Sequence, residues 1–136
     1  MKKTLSLNEK YVKLPFQISF LSGFFFLISG ICYSYSGAST GYVLLVIAFI
    51  VILSAQRMRK GKNNDLKDSG LTVLFFGVLN LISFIFILSG ANLSGDLFFA
   101  GFITGIIASI FGLLGGLFAF ILSKQILNIK KAGEEE

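Results

Sequence analysis

The chain reads as an all-α, polytopic membrane protein: four transmembrane helices in a bundle, with both termini on the cytoplasmic side. Three observations predict this. Residues 15–56 and 70–123 contain a single charged side chain between them, Asp96. The composition is 54% hydrophobic and only 14% charged, well below the share of about 25% charged residues usual in soluble domains. The twelve Lys and Arg residues fall into three short stretches that separate the apolar runs in pairs.

Crossing a hydrocarbon core about 30 Å thick takes roughly 20 apolar residues in a helix, and four runs meet that requirement. The first predicted span covers residues 15–33, with Pro15 at the first turn, where a missing N–H is harmless. The second covers 39–56 and is the shortest. The third covers 70–89. The fourth, 97–123, is long enough to require tilt or an end in the headgroup layer. These divide the chain into a basic N-terminal segment (1–14), a first hairpin (15–56), a basic loop (57–69), a second hairpin (70–123) and a tail (124–136). The small residues Ser36, Gly37 and Ala38 resemble a signal-peptidase site. The preceding apolar run is longer than a signal h-region of about 7–15 residues, which favours a retained span.

Orientation follows from the basic residues. Lys2, Lys3, Lys10 and Lys13 precede the first span, and Arg57, Arg59, Lys60, Lys62 and Lys67 lie between the second and third. Lys124, Lys130 and Lys131 follow the fourth. The other two connections have none, so the positive-inside rule places both termini and the long loop in the cytoplasm. Tyr33, Tyr35 and Tyr42 then fall at the outer interface and Tyr11 at the inner one.

An offset of sixty residues aligns the two halves without a gap. The run from Phe24 to Gly30 falls on the run from Phe84 to Gly90, and Gly41 falls on Gly101, Ala48 on Ala108 and Leu53 on Leu113. Two tandem helical hairpins of the same orientation would form a parallel repeat. One substitution within the alignment is polar: Asn80 stands where the first half has Phe20. An amide in mid-membrane needs hydrogen-bond partners, so Asn80 is expected either to pin helices together or to border a polar path with Thr104 and Ser109.

The fourth span carries a stripe of small residues: Gly101, Gly105, Ala108, Gly112, Gly116, Ala119 and Ser123. Their alternating spacing of three and four holds them on one helix face. In lipid, where no hydrophobic force draws helices together, such seams permit close backbone approach. The stripe is expected to pack another helix of the same chain or to contact a second protein, and Ser19 and Gly23 form a small patch that could receive it.

Chemistry is sparse. No Asp, Glu, Lys or Arg lies inside a predicted span, and the chain has no His, which removes the usual proton relays and ion-coupling groups. Cys32 stands alone, which excludes an intrachain disulfide and an ordinary Cys/His metal site. No cofactor, metal or catalytic constellation is expected. The net charge of +5 is carried by residues flanking the spans and reads as membrane anchoring, with no nucleic-acid partner. Arg57, Arg59, Lys60 and Lys62 are expected to act as topology determinants and to face anionic lipid. The tail alternates apolar residues with Lys and reads as a helical extension in the interface.

The short loops, Lys-rich leader and Phe/Ile/Leu-rich spans fit a bacterial inner membrane. No diagnostic motif accompanies the layout. The expected role is therefore a non-enzymatic interaction or accessory one, with the bilayer, another membrane protein or further copies of the chain as partners. An oligomeric pore or uncoupled facilitator is the alternative, and a lipid-acting enzyme a distant third.

Overall fold

A computed structural model describes residues 2–59, 63–90 and 95–135. Its regular structure there is entirely helical: α1 (Lys2–Tyr35), α2 (Thr40–Met58), α3 (Asn63–Gly90) and α4 (Asp96–Glu135). All four are long and apolar enough to cross a membrane.

The helices outrun the apolar segments that announce them. The stretch expected as a basic loop, 57–69, is mostly helix, since α2 continues through Met58 and α3 begins at Asn63. The tail is a continuation of α4 rather than a separate interfacial piece, and the N-terminal segment is helical from Lys2. Lys, Gln, Glu, Leu and Ala in these stretches are strong helix formers, so the backbone has no reason to stop where lipid would. At 1.5 Å per residue, the forty residues of α4 extend about 60 Å.

Pro15 corrects the sequence reading in a second way. It lies inside α1, is buried, and leaves the Tyr11 carbonyl without the intrahelical donor that residue 15 would otherwise supply. The turn between α1 and α2 is short and hydrogen-bonded. Gly37 takes the left-handed conformation at φ +83°, while the Ala38 N–H reaches back to the Tyr33 carbonyl at 3.0 Å and the Gly37 N–H to Ser34 at 3.1 Å. This is the Schellman arrangement, and it requires a residue at Gly37 that tolerates positive φ.

α1 packs against α2 and α4, and α3 packs against α4, whereas α2 and α3 share a much smaller contact. The common core is apolar: Phe26 from α1, Ile47 and Val51 from α2, Val73 and Phe84 from α3, and Phe102 and Ala108 from α4. Met58, Leu66 and Ile126 are also buried, although they sit near the ends of their apolar runs. Side chains such as Phe49, Leu53, Phe75 and Ile85 point outward, as expected for surfaces covered by lipid.

Candidate functional site

α4 carries the interfaces with both α1 and α3. Towards α1, the Ser29 hydroxyl donates to the Gly101 carbonyl and the Ser22 hydroxyl to the Ala108 carbonyl, both at 2.6 Å. Each step is seven residues on each helix, running in opposite directions, so α1 and α4 are antiparallel with a constant register. About one turn closer to the N-terminus of α1, Ser19 lies against Gly115, where an added Cβ would run into the Ser19 hydroxyl and its backbone nitrogen. Gly101 fits less tightly: a Cβ there would sit 3.2 Å from the Cys32 Cβ. Helices approach this closely only where one side presents no side chain.

Towards α3 the fit is also made by glycine. A Cβ on Gly116 would meet the Gly70 carbonyl oxygen at 2.6 Å and the Leu74 nitrogen at 2.7 Å. Gly77 faces Leu113 N and Ser109 O at 3.2 Å, and Gly112 lies against both Gly77 and the Ser22 hydroxyl. Higher up, the Phe84 ring fills the notch left by Gly105 and stands edge-on to Phe102 with centroids 5.0 Å apart. The Asn80 amide completes this interface, donating to the Ser109 hydroxyl at 2.7 Å and the Gly105 carbonyl at 3.2 Å. Ser109 donates in turn to the Gly105 carbonyl at 2.9 Å. Interhelical bonds of this kind contribute about 0.6 kcal/mol on average and up to about 1.7.

These contacts locate most of the residues singled out in the sequence. Gly101, Gly105, Ala108, Gly112 and Gly116 are all buried, covered by α1 and α3. Of the two roles expected for the stripe, these contacts are those of packing within the chain, and they leave it little surface for a second protein. Gly23 does not receive the stripe either; it packs against Ile52 and the Ala48 carbonyl of α2. Asn80 and Ser109 are buried and bonded to each other between α3 and α4, an arrangement that pins the two helices together. Thr104 is half-buried and donates within its own helix, to Ala100 and Gly101 carbonyls at 2.8 and 3.1 Å. Arg57 and Arg59 are exposed at the end of α2, and Lys60 and Lys62 lie outside the described residues.

The partners of Ser22 and Ser29 were not legible in the sequence, and three glycines were missed: Gly115, which faces Ser19, and Gly70 with Gly77, the α3 half of the glycine fit. The seven-residue interval shared by Ser22 and Ser29, and by Gly70 and Gly77, was the available signal. No group of three His, Cys, Asp or Glu side chains able to hold a metal ion occurs among the described residues. The buried polar groups Ser22, Ser29, Asn80 and Ser109 bind helix to helix. No protein-family model, curated protein or solved structure matches the chain.

Proposed function

We propose that this is a non-enzymatic, multi-pass protein of a bacterial inner membrane, with both termini cytoplasmic, that acts by helix–helix contact with another membrane protein. The observation that carries the reading is the internal use of its polar chemistry: Ser22, Ser29, Asn80 and Ser109 are buried and bonded between helices. What such a molecule offers outward is shape. The twelve basic residues on one side of the apolar spans support the orientation, and the sixty-residue offset supports an origin in two tandem hairpins.

The contact surface is then an outward stripe rather than the α4 glycines. On α2 the exposed residues Val46, Phe49, Ile50 and Leu53 recur at helical spacing, and Phe75, Val78 and Ile82 do so on α3. Photo-crosslinking amino acids placed at Phe49 and Phe75 in native membranes test this directly. A discrete protein adduct at one position, lost on extraction of its partner, is the expected result. Lipid adducts alone at both positions, together with solute flux through reconstituted vesicles, would replace this reading with the facilitator.

A further inference from the structure

The outward faces of α2 and α4 differ in height. On α2 the exposed apolar residues are closed off by exposed Thr40 at one end and Arg57 at the other, about 25 Å apart along the helix. On α4 exposed apolar residues continue from Leu97 to Ile121, a distance of about 36 Å. Hydrocarbon about 30 Å thick is too thick for the first face and too thin for the second. The two helices stand on opposite sides of the bundle, since α1 and α3 each pack against both.

Contacts with α1 set a common scale for them. Against α2, a Cβ on Gly23 would meet Ile52 and the Ala48 carbonyl, and one on Gly30 would meet Leu45 and the Gly41 carbonyl. Against α4, Ser29 bonds to Gly101, Ser22 bonds to Ala108, and Ser19 lies against Gly115. On this scale Arg57 falls level with Phe16, whose ring carries the Arg59 guanidinium at 5.8 Å, and Ile121 lies about one turn beyond. At the opposite end Thr40 falls level with Tyr33, and Leu97 again lies about one turn beyond. α4 thus overshoots α2 at both ends. Tilting the bundle lowers one end of α2 only by raising the other, so tilt cannot match both helices to one flat bilayer.

We propose that the molecule thins the bilayer beside α2, drawing both leaflets in to its polar ends, and stretches it beside α4. Lipid yields before the helix does, because burying Arg57 in hydrocarbon costs more than deforming the bilayer over a few ångströms. The inference describes the chain alone in lipid and does not depend on the accessory reading.

The chain contains no Trp, so single tryptophans at exposed positions report depth in phosphatidylcholine vesicles brominated near the headgroup or near the chain ends. Leu53→Trp on α2 and Leu114→Trp on α4 stand at one height on the α1 scale, as do Val43→Trp and Ile103→Trp near the opposite end. In each pair the α2 tryptophan should lie about 5 Å closer to its membrane surface. Phe49→Trp and Ile110→Trp, at mid-height on the two helices, should read alike. Shortening the acyl chains should narrow the difference in both end pairs. Equal depths within the end pairs, or unequal depths in the middle pair, would overturn the proposal. Differences of opposite sign at the two ends would overturn it in favour of a tilted, rigid bundle. Tryptophans on α2 that neither bromine quenches would overturn it as well, by showing protein rather than lipid against that face.

Discussion

The α1–α4 and α2–α3 sides of the molecule use the same vocabulary of Phe, Ile, Leu, Ser and Gly to opposite effect. At the offset of sixty residues that aligns the halves, Ser22 corresponds to Ile82, Ser19 to Leu79 and Gly115 to Ala55. The α1–α4 side thus has hydroxyl donors opposite residues with little or no side chain. On the other side, Ile82 and Leu79 occupy the donor positions and are exposed. Gly41, the counterpart of Gly101, packs instead against Ser34 and Gly30 of α1. Close approach in lipid follows from small residues meeting small residues, not from apolar character, which both sides share.

That contrast can be broken in graded ways. The most decisive change is covalent. Gly101→Cys places a second thiol beside Cys32, near the Cβ separation that a disulfide needs. Mild oxidation should give nearly complete internal cross-linking, seen as a gel shift reversed by reductant, whereas Ile82→Cys should give none. Gly116→Leu should be the most damaging of the simple substitutions, because its side chain would meet the backbone of Gly70 and Leu74 rather than a movable side-chain end. A loss of about 3 kcal/mol or more, beyond the usual overpacking cost of about 1–3, is expected in reversible unfolding from micelles, with helix content retained. Ser22→Ala with Ser29→Ala should cost about 1–3 kcal/mol in the same measurement, from two buried interhelical bonds. Phe75→Ala, on the exposed face of α3, should change stability by less than about 0.5 kcal/mol. Equal costs for the serine pair and Phe75 would erase the distinction between the two sides.

The four apolar segments were legible because burying a charge in hydrocarbon is expensive, so the absence of charge marks each span directly. Helix ends were not legible by the same route. Hydropathy detects where lipid is, while helix propensity decides where the backbone stops, and Lys10, Lys67 and Gln125 all sit in continuing helix. The α4 stripe was visible as a pattern but not as an interface, since small residues on one helix do not say what lies opposite. Its partners were spread over two other helices: Ser22 and Ser29 on one, Gly70, Gly77 and Phe84 on the other. Asn80 was recognisable as a group needing a partner, yet the choice of Ser109 depended on an α3–α4 register that periodicity alone cannot supply.

The two α1 hydroxyls end on backbone carbonyls, those of Gly101 and Ala108. A carbonyl belongs to every residue, so no amino-acid exchange on α4 deletes the acceptor. An alanine scan along α4 would remove the Ser109 hydroxyl that Asn80 uses but would pass over both of these bonds in silence. Seen genetically, this contact is one-sided: its polar half can be mutated from α1 and from nowhere else.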